Sequence, residues 1–135
     1  MPLIYIDIHD NRTPDEITTL LDAVHTAVVD AFEVPERDRY QVVTVHSPGH
    51  LVVQDTGLGI RRTPRVVVVR VVSKRRSPEK KRRLYELLAA NLARDCALAS
   101  SDLVVTITEN GAEDWSFGHG RAQFVTGELP SRTGG

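Results

Sequence analysis

The residue best suited to chemistry is Pro2, which follows Met1 at the head of a predicted strand that extends to Ile8. Methionine is normally removed when the next residue is small, and removal would leave Pro2 with a free secondary amine. An α-amino group titrates at about 7.7–8.0 in model peptides, close enough to neutrality for acid, base or nucleophilic work. If Met1 were retained, the same nitrogen would be an amide. Proline is also common near chain termini without any function. A catalytic role for Pro2 therefore requires other functional residues near it.

Two charged groups could supply that support. In the connector from Val34 to Tyr40, Asp38 stands between two arginines just before a predicted strand. Alternatively, Asp38 caps a turn or pairs with Arg37 or Arg39. The second group is the cationic cluster Ser73 to Ser77, where a strand meets a helix N-terminus, a natural position for a small carboxylate. Strand alternation would put Lys74 and Arg76 on one side and Arg75 on the other.

Other polar residues carry weaker signals. His46 and His50 are four residues apart, but Pro48 and Gly49 between them exclude the helix that would aim both at one metal. Cys96 is a poor nucleophile because Asp95 beside it disfavours a thiolate. The run from Lys74 to Arg83 holds seven of the 17 Lys and Arg residues, which is typical of a solvated helix face.

The predicted secondary-structure elements that would position these residues follow a pattern that occurs twice in the chain. Each unit reads strand, helix, strand, with apolar residues at helical spacing in both helices. The first helix begins with Thr13 as N-cap and a capping box to Glu16, and should end near Phe32. The landmarks repeat 64 positions later: Pro14 and Pro78 open the helices, and Asp38 and Asp102 precede the following strands. Such agreement indicates a duplicated and fused unit.

We therefore predict an α+β fold, in which the two fused β-α-β units form a four-stranded sheet with both helices on one face. The units span about 1–63 and 64–129 of a single domain at 1–129, with a possible short strand at 51–53. A short C-terminal hairpin is predicted around 118–125, and 130–135 should be a flexible tail. Valines and isoleucines on the uncovered face predict a homo-oligomer.

Bulk properties narrow the class of protein. The chain has 135 residues and a net charge of −1, which gives no indication of nucleic-acid or membrane partners. No apolar run reaches the roughly 18 residues that cross a bilayer, and the N-terminus lacks the pattern of a secretory signal. One cysteine forms no intrachain disulfide, so we expect a cytoplasmic protein.

The chain resembles the tautomerase superfamily, and within it the malonate semialdehyde decarboxylases. The likeness extends from Pro2 to about Leu129. Its most specific parts are Asp38-Arg39-Tyr40-Gln41, Asp55-Thr56-Gly57-Leu58-Gly59, Arg94-Asp95-Cys96, Asp114-Trp115-Ser116-Phe117-Gly118, Gly120-Arg121-Ala122 and Phe124 to Leu129.

The resemblance implies roles for particular residues. Pro2 would be the catalytic amine, Asp38 its acidic partner and Arg76 a catalytic cation that holds the substrate carboxylate. Lys74 stands where the family has a second arginine, and Arg75 replaces an intervening proline. Lysine keeps the charge but lacks the bidentate fork of arginine. The implied pocket wall, for which core packing is the alternative, consists of Trp115, Phe117, Phe124 and Leu129.

These residues predict decarboxylation of a small 3-oxo acid such as malonate semialdehyde, with no metal or organic cofactor and with hydration as a possible side activity. Keto–enol tautomerisation, with a neutral Pro2 as base, is the first alternative, and haloacrylate dehalogenation is another. A polyanion-binding module that uses the basic helix face is the non-enzyme alternative. The family resemblance further implies a homotrimer.

Overall fold

The computed structural model describes residues 2–130 and confirms the two β-α-β units. In chain order the elements are β1 (Leu3–His9), α1 (Pro14–Phe32), β2 (Tyr40–His46), β3 (Val67–Lys74), α2 (Pro78–Cys96), β4 (Leu103–Asn110) and α3 (Gln123–Thr126). The strands form one sheet in the order β2-β1-β3-β4. Each unit contributes a parallel pair, and the antiparallel pairing of β1 with β3 joins the two units.

The 64-residue offset holds in the structure at helix starts and helix ends. The Thr13 side chain accepts a hydrogen bond from the Glu16 backbone N–H and the Ser77 side chain accepts one from Lys80, so both helices are capped in the same way. Both helices end on a residue with left-handed backbone, Glu33 at φ 54° and Ala97 at φ 52°. Two strands, β1 and β3, begin at corresponding positions as well.

Both helices cover the same face of the sheet, as predicted. Alternate residues of the central strands enter one core, among them Ile4, Ile6 and Ile8 of β1 and Val67, Val69 and Val71 of β3. Leu84, Leu88 and Leu92 of α2 are fully buried against them. Burying a side chain of this size stabilises the fold by about 1.5–3 kcal/mol, so this core fixes the two central strands.

The opposite face is mixed in character. Val42 and Tyr40 of β2 remain 46% and 40% exposed. Asp7 lies at the centre of this face, where its carboxylate accepts hydrogen bonds from His46 Nε2 at 2.8 Å and Arg70 Nε at 3.0 Å. The prediction that the uncovered face carries solvent-exposed valines is confirmed by Val42. The isoleucines of the strands instead lie on the face that the helices cover.

The predicted C-terminal hairpin is wrong. The chain after β4 forms a 3₁₀ turn at Ala112–Asp114 and then the short helix α3. The Gln123 side chain accepts from the Phe117 N–H at 2.9 Å and donates to the Gly118 carbonyl at 2.9 Å. Because one side-chain amide satisfies both backbone groups, this segment needs no second strand. The possible strand at 51–53 is also absent, and most of the predicted tail lies outside the described residues.

Candidate active site

The strand register brings the predicted chemical groups to one end of the sheet. Leu3 pairs with Tyr40 of β2 on one side and with Val72 of β3 on the other. The buried Pro2 precedes Leu3. Asp38 lies two residues before Tyr40, and Lys74 lies two residues after Val72. The start of β1, the connector before β2 and the end of β3 therefore meet, although they are far apart in sequence.

Asp38 lies in the connector between α1 and β2, and a contact from α1 holds this connector in place. The ring of the buried His25 lies 2.7 Å from the Glu36 carbonyl oxygen through Nε2, and the Asp38 N–H donates to the Pro35 carbonyl at 3.0 Å. The neighbouring Arg39 is engaged elsewhere, since its guanidinium donates to Asp22 at 2.7 Å. The predicted alternative, in which Asp38 pairs with Arg39, is therefore wrong.

The Asp38 carboxylate is unusual because Oδ2 is buried and has no hydrogen-bond partner among residues 2–130. Asp102 occupies the corresponding position 64 residues later, and its carboxylate has a structural role. Its carboxylate accepts from the Thr63 N–H at 2.7 Å and from the Thr63 hydroxyl at 2.5 Å. A buried acceptor without a donor costs about 1–3 kcal/mol. Asp38 is therefore the aspartate whose oxygen remains available to a donor at this end of the sheet.

Arg76 is held rigidly beside Asp38. Its Nε donates to the Ser73 hydroxyl at 3.1 Å, its backbone N–H donates to Glu109 Oε2 at 2.8 Å, and its guanidinium lies 4.9 Å from the centre of the Phe32 ring. Burial lowers the pKa of the guanidinium, whereas the negative charge of Asp38 raises it. An arginine stays charged in proteins, so Arg76 provides a fixed cation close to Asp38.

Lys74 is the buried cation of the cluster, whereas Arg76 is half-buried. Only 9% of the Lys74 surface is exposed, and Nζ lies 4.0 Å from the centre of the Phe124 ring. Burial lowers the pKa of the ammonium group, and the nearby positive charge of Arg76 lowers it further. Because β3 ends at Lys74, strand alternation does not extend to Arg76, and each side chain is placed by its own contacts.

Arg75 lies outside this group. Arg75 is exposed at the surface. The Arg76 backbone N–H, followed by Lys81 and the charge of Arg75, lowers the pKa of Glu109. Arg75 does not line the cavity, and its positive charge acts on Glu109.

Aromatic rings form a wall next to the cations. Trp115 and Phe117 are stacked with ring centres 5.5 Å apart, and the edge of Phe124 meets Phe117 at 5.4 Å. Tyr40 adds a fourth ring, 5.7 Å from Phe117. Phe124 is buried, but Trp115 and Phe117 are only half-buried. These two rings line an open cavity of about 420 Å³ bounded by Leu3, Tyr40, Val72, Asn110, Asp114, Trp115, Ser116 and Phe117.

The predicted site residues therefore divide into two adjoining groups. Trp115 and Phe117 border the cavity itself, and Phe124 lies behind Phe117. Pro2, Asp38, Lys74 and Arg76 lie at the same end of the sheet and do not line the cavity. Leu129 is half-buried, and its N–H donates to the Gln123 carbonyl at 3.0 Å, which ties the last described residues to α3.

Three positioning residues were not predicted as site residues. Tyr40 borders the cavity, Asn110 accepts a hydrogen bond from Trp115 Nε1 at 2.8 Å, and Gln123 holds the Phe117 backbone. Tyr40 was within reach, because it is part of the Asp38-Arg39-Tyr40-Gln41 motif. Nothing in the local sequence marks Asn110 or Gln123, whose roles depend on chain geometry after β4.

The other chemical candidates have structural explanations. His46 binds Asp7, and burial together with the charge of Asp95 raises the pKa of the Cys96 thiol. In the basic run, Lys80 pairs with Glu33 at 3.2 Å and Lys81 with Glu109 at 3.2 Å, so carboxylates offset part of its charge. None of the helices within residues 2–130 is long and apolar enough to cross a membrane.

Comparison with known proteins agrees with this geometry. Two models of tautomerase enzymes match the chain, one over residues 38–118 and the other over residues 2–61. A curated protein of Bacillus subtilis (strain 168), probable tautomerase YrdN, is 50% identical over 96% of this chain and 100% of its own length. A second protein of that organism, probable tautomerase YusQ, is 27% identical over 93% of this chain and 99% of its own length.

Solved structures give the same result. A malonate semialdehyde decarboxylase structure, reported with decarboxylase and hydratase activities, is 50% identical with a TM-score of 0.92, covering 94% of this chain and 98% of that chain. A structure of FG41 malonate semialdehyde decarboxylase inhibited by 3-bromopropiolate is 41% identical with a TM-score of 0.92, covering 96% and 99%. The chain therefore belongs to the tautomerase superfamily.

Proposed function

We propose that this enzyme decarboxylates a small 3-oxo acid such as malonate semialdehyde, releasing acetaldehyde and carbon dioxide, with Pro2 as its amine. The observation that carries the proposal is the buried Asp38 Oδ2, which has no hydrogen-bond partner among the described residues and lies near the start of β1 and close to Arg76. The 50% identity to a malonate semialdehyde decarboxylase over nearly the whole of both chains supports it. The proposal presumes that Met1 is removed.

Decarboxylation needs an acceptor for the electron pair of the breaking carbon–carbon bond. In a 3-oxo acid that acceptor is the carbonyl group. A protonated Pro2 donates a hydrogen bond to the carbonyl oxygen, or its neutral form condenses with the carbonyl to an iminium, which is a stronger acceptor. Either route uses atoms of the chain and substrate only, so the proposal requires no metal or organic cofactor.

The charged residues have two different roles in this reaction. Lys74 and Arg76 hold the substrate carboxylate with its bond to carbon out of the carbonyl plane, where that bond overlaps the acceptor orbital. Asp38 supports the cationic form of Pro2, because a nearby negative charge raises the pKa of an amine. The buried Oδ2 gives that charge a low-dielectric setting, in which its effect on a neighbouring cation is stronger than in water.

The aromatic wall promotes the same step by excluding water. Trp115 and Phe117 present apolar rings to the cavity, and Phe124 packs against Phe117. A carboxylate loses hydration energy against such a surface, whereas neutral carbon dioxide loses little. The reaction removes the charge, so an apolar wall favours the product side. Hydration of an activated substrate, with Asp38 activating the water, would be a side activity of the same groups.

A keto–enol tautomerase is the second candidate, because the 50% identical Bacillus subtilis relative is named a probable tautomerase. In that reaction Pro2 must be neutral and act as base. A pH–rate profile separates tautomerisation from the hydrogen-bonding route of decarboxylation: decarboxylation by a protonated Pro2 falls as Pro2 loses its proton, whereas tautomerisation rises. The test is run with malonate semialdehyde and with an enolisable 2-oxo acid, and tautomerase activity alone would overturn the decarboxylase proposal.

We also propose a homotrimer. The exposed Val42 and Tyr40 lie on the sheet face that the helices leave uncovered, and a second copy would bury them. Light scattering in solution tests this: a mass of three chains supports the trimer, and a single-chain mass contradicts it.

A further inference from the structure

The position of Lys74 suggests more than carboxylate binding. Lys74 ends β3 and pairs in register with Asn110, which lines the cavity. Val72, two residues earlier on the same strand face, lines the cavity as well. Nζ packs on Phe124, whose ring contacts the wall ring Phe117. Nζ therefore lies against a ring that packs behind the cavity wall, and the residue as a whole is buried.

These surroundings suit a nucleophile. An amine attacks a carbonyl only in its neutral form, and a lysine reaches that form near neutral pH when it is desolvated or lies beside another cation. Lys74 meets both conditions, since it is 9% exposed and has Arg76 as its cationic neighbour. The face of Phe124 favours the ammonium form, but the net effect of the surroundings is a lowered pKa. An arginine at this position would remain charged and could not react.

We propose that Lys74 is a second carbonyl-reactive amine of this site, able to form an imine with the 3-oxo acid substrate or its aldehyde product. This inference rests on the proposed function for its substrate class. In this mode Arg76 alone holds the carboxylate, and Pro2 remains the other amine that the substrate carbonyl can reach.

The covalent step balances without any further reagent. Neutral Nζ adds to the carbonyl carbon, and the resulting carbinolamine takes up a proton from solvent and loses water to give an iminium. The bond to the carboxylate then breaks, its electron pair moves to the iminium nitrogen, and carbon dioxide leaves an enamine. The enamine carbon takes a proton from solvent. Water then hydrolyses the iminium, which releases the aldehyde and a proton and restores the amine.

Reductive trapping tests the inference on the full-length protein. The protein is incubated with acetaldehyde, and separately with malonate semialdehyde, in the presence of cyanoborohydride, and modified residues are mapped by peptide mass spectrometry. We expect an ethyl group on Lys74. The lysines of α2, Lys80 and Lys81, serve as internal controls because neither lines the cavity and both should remain unmodified. Lys74→Arg should abolish the label at this position while retaining the positive charge.

The outcomes separate this inference from the proposed function. A label on Pro2 alone, or turnover without any trapped adduct, overturns the role of Lys74 and leaves Pro2 catalysis standing. Labelling of Lys74 no faster than that of Lys80 and Lys81 also overturns it. A selective label on Lys74 with no decarboxylation of any 3-oxo acid supports the reactive lysine but rejects the proposed function.

Discussion

Replacing Asp38 with asparagine is the most informative single perturbation of the site. Asparagine has the same shape, so the connector that His25 holds through the Glu36 carbonyl should keep its conformation. What changes is the charge at the buried Oδ2 position, which has no donor within the described part of the chain. The variant therefore removes a negative charge from the amine of Pro2 and from Arg76 with little change in packing.

The expected magnitude follows from the hydrogen bond that Oδ2 would accept from the Pro2 ammonium once Met1 is removed. A hydrogen bond to a charged group contributes about 1.5–3 kcal/mol, which corresponds to a fall in kcat/KM of about 10- to 150-fold. The pH profile should move as well. Because a negative neighbour raises the pKa of an amine, Asp38→Asn should shift the falling limb of the decarboxylation profile to lower pH. The free energy of unfolding should change by about 1 kcal/mol or less, because the substitution leaves no unpaired charge in the buried position.

The assay is acetaldehyde formation from malonate semialdehyde, followed by proton NMR across the pH range, with thermal unfolding measured in parallel. Asp22→Asn is the matched control: Asp22 is an exposed carboxylate paired with Arg39, and its loss should leave kcat/KM and the pH profile unchanged. An Asp38→Asn enzyme with unaltered kcat/KM and an unmoved limb would refute the role assigned to Asp38.

Three further predictions follow from the contacts around the site and core. Gln123→Leu removes both hydrogen bonds to the 117–118 backbone and should raise KM by about 5- to 30-fold through a loss of about 1–2 kcal/mol, measured by initial rates; an unchanged KM would contradict the positioning role. Leu88→Ala creates a cavity in the fully buried core and should lower the free energy of unfolding by about 2–5 kcal/mol in urea titrations, whereas a loss under about 1 kcal/mol would contradict this packing. Glu109 has a lowered pKa in the folded state, first through the Arg76 N–H, so its stabilising effect is present above its unfolded pKa and is lost as pH falls through the folded value. Glu109→Gln should therefore show a smaller loss of thermal stability on acidification than the wild type, and equal losses would refute the assignment.

Much of the fold could be predicted because local signals and the repeat agreed. The capping box at Thr13 and the offset between Pro14 and Pro78 gave both helix starts, and the valine run gave the buried strand β3. The convergence of Pro2, Asp38 and Lys74 was within reach of the sequence, since β-α-β topology places the relevant strand ends together.

The parts of the structure that could not be predicted depend on contacts between residues that are distant from the local sequence patterns. A glycine-rich segment followed by apolar residues is typical of a hairpin, yet the side chain of Gln123 satisfies the backbone at Phe117 and Gly118. Alternation assigned Arg76 to a strand face, but β3 ends at Lys74. The difference between Asp38 and Asp102 was also hidden, because both precede a strand, and only the contacts of Thr63 show that Asp102 is structural.

The measurement that tests the central claim most directly is the intact mass of the active protein combined with its rate of decarboxylation. The account predicts that turnover resides in molecules that have lost Met1, and that chemically blocking the free amine of Pro2 abolishes it. Full activity in molecules that retain Met1, in which the Pro2 nitrogen is an amide, would contradict the account.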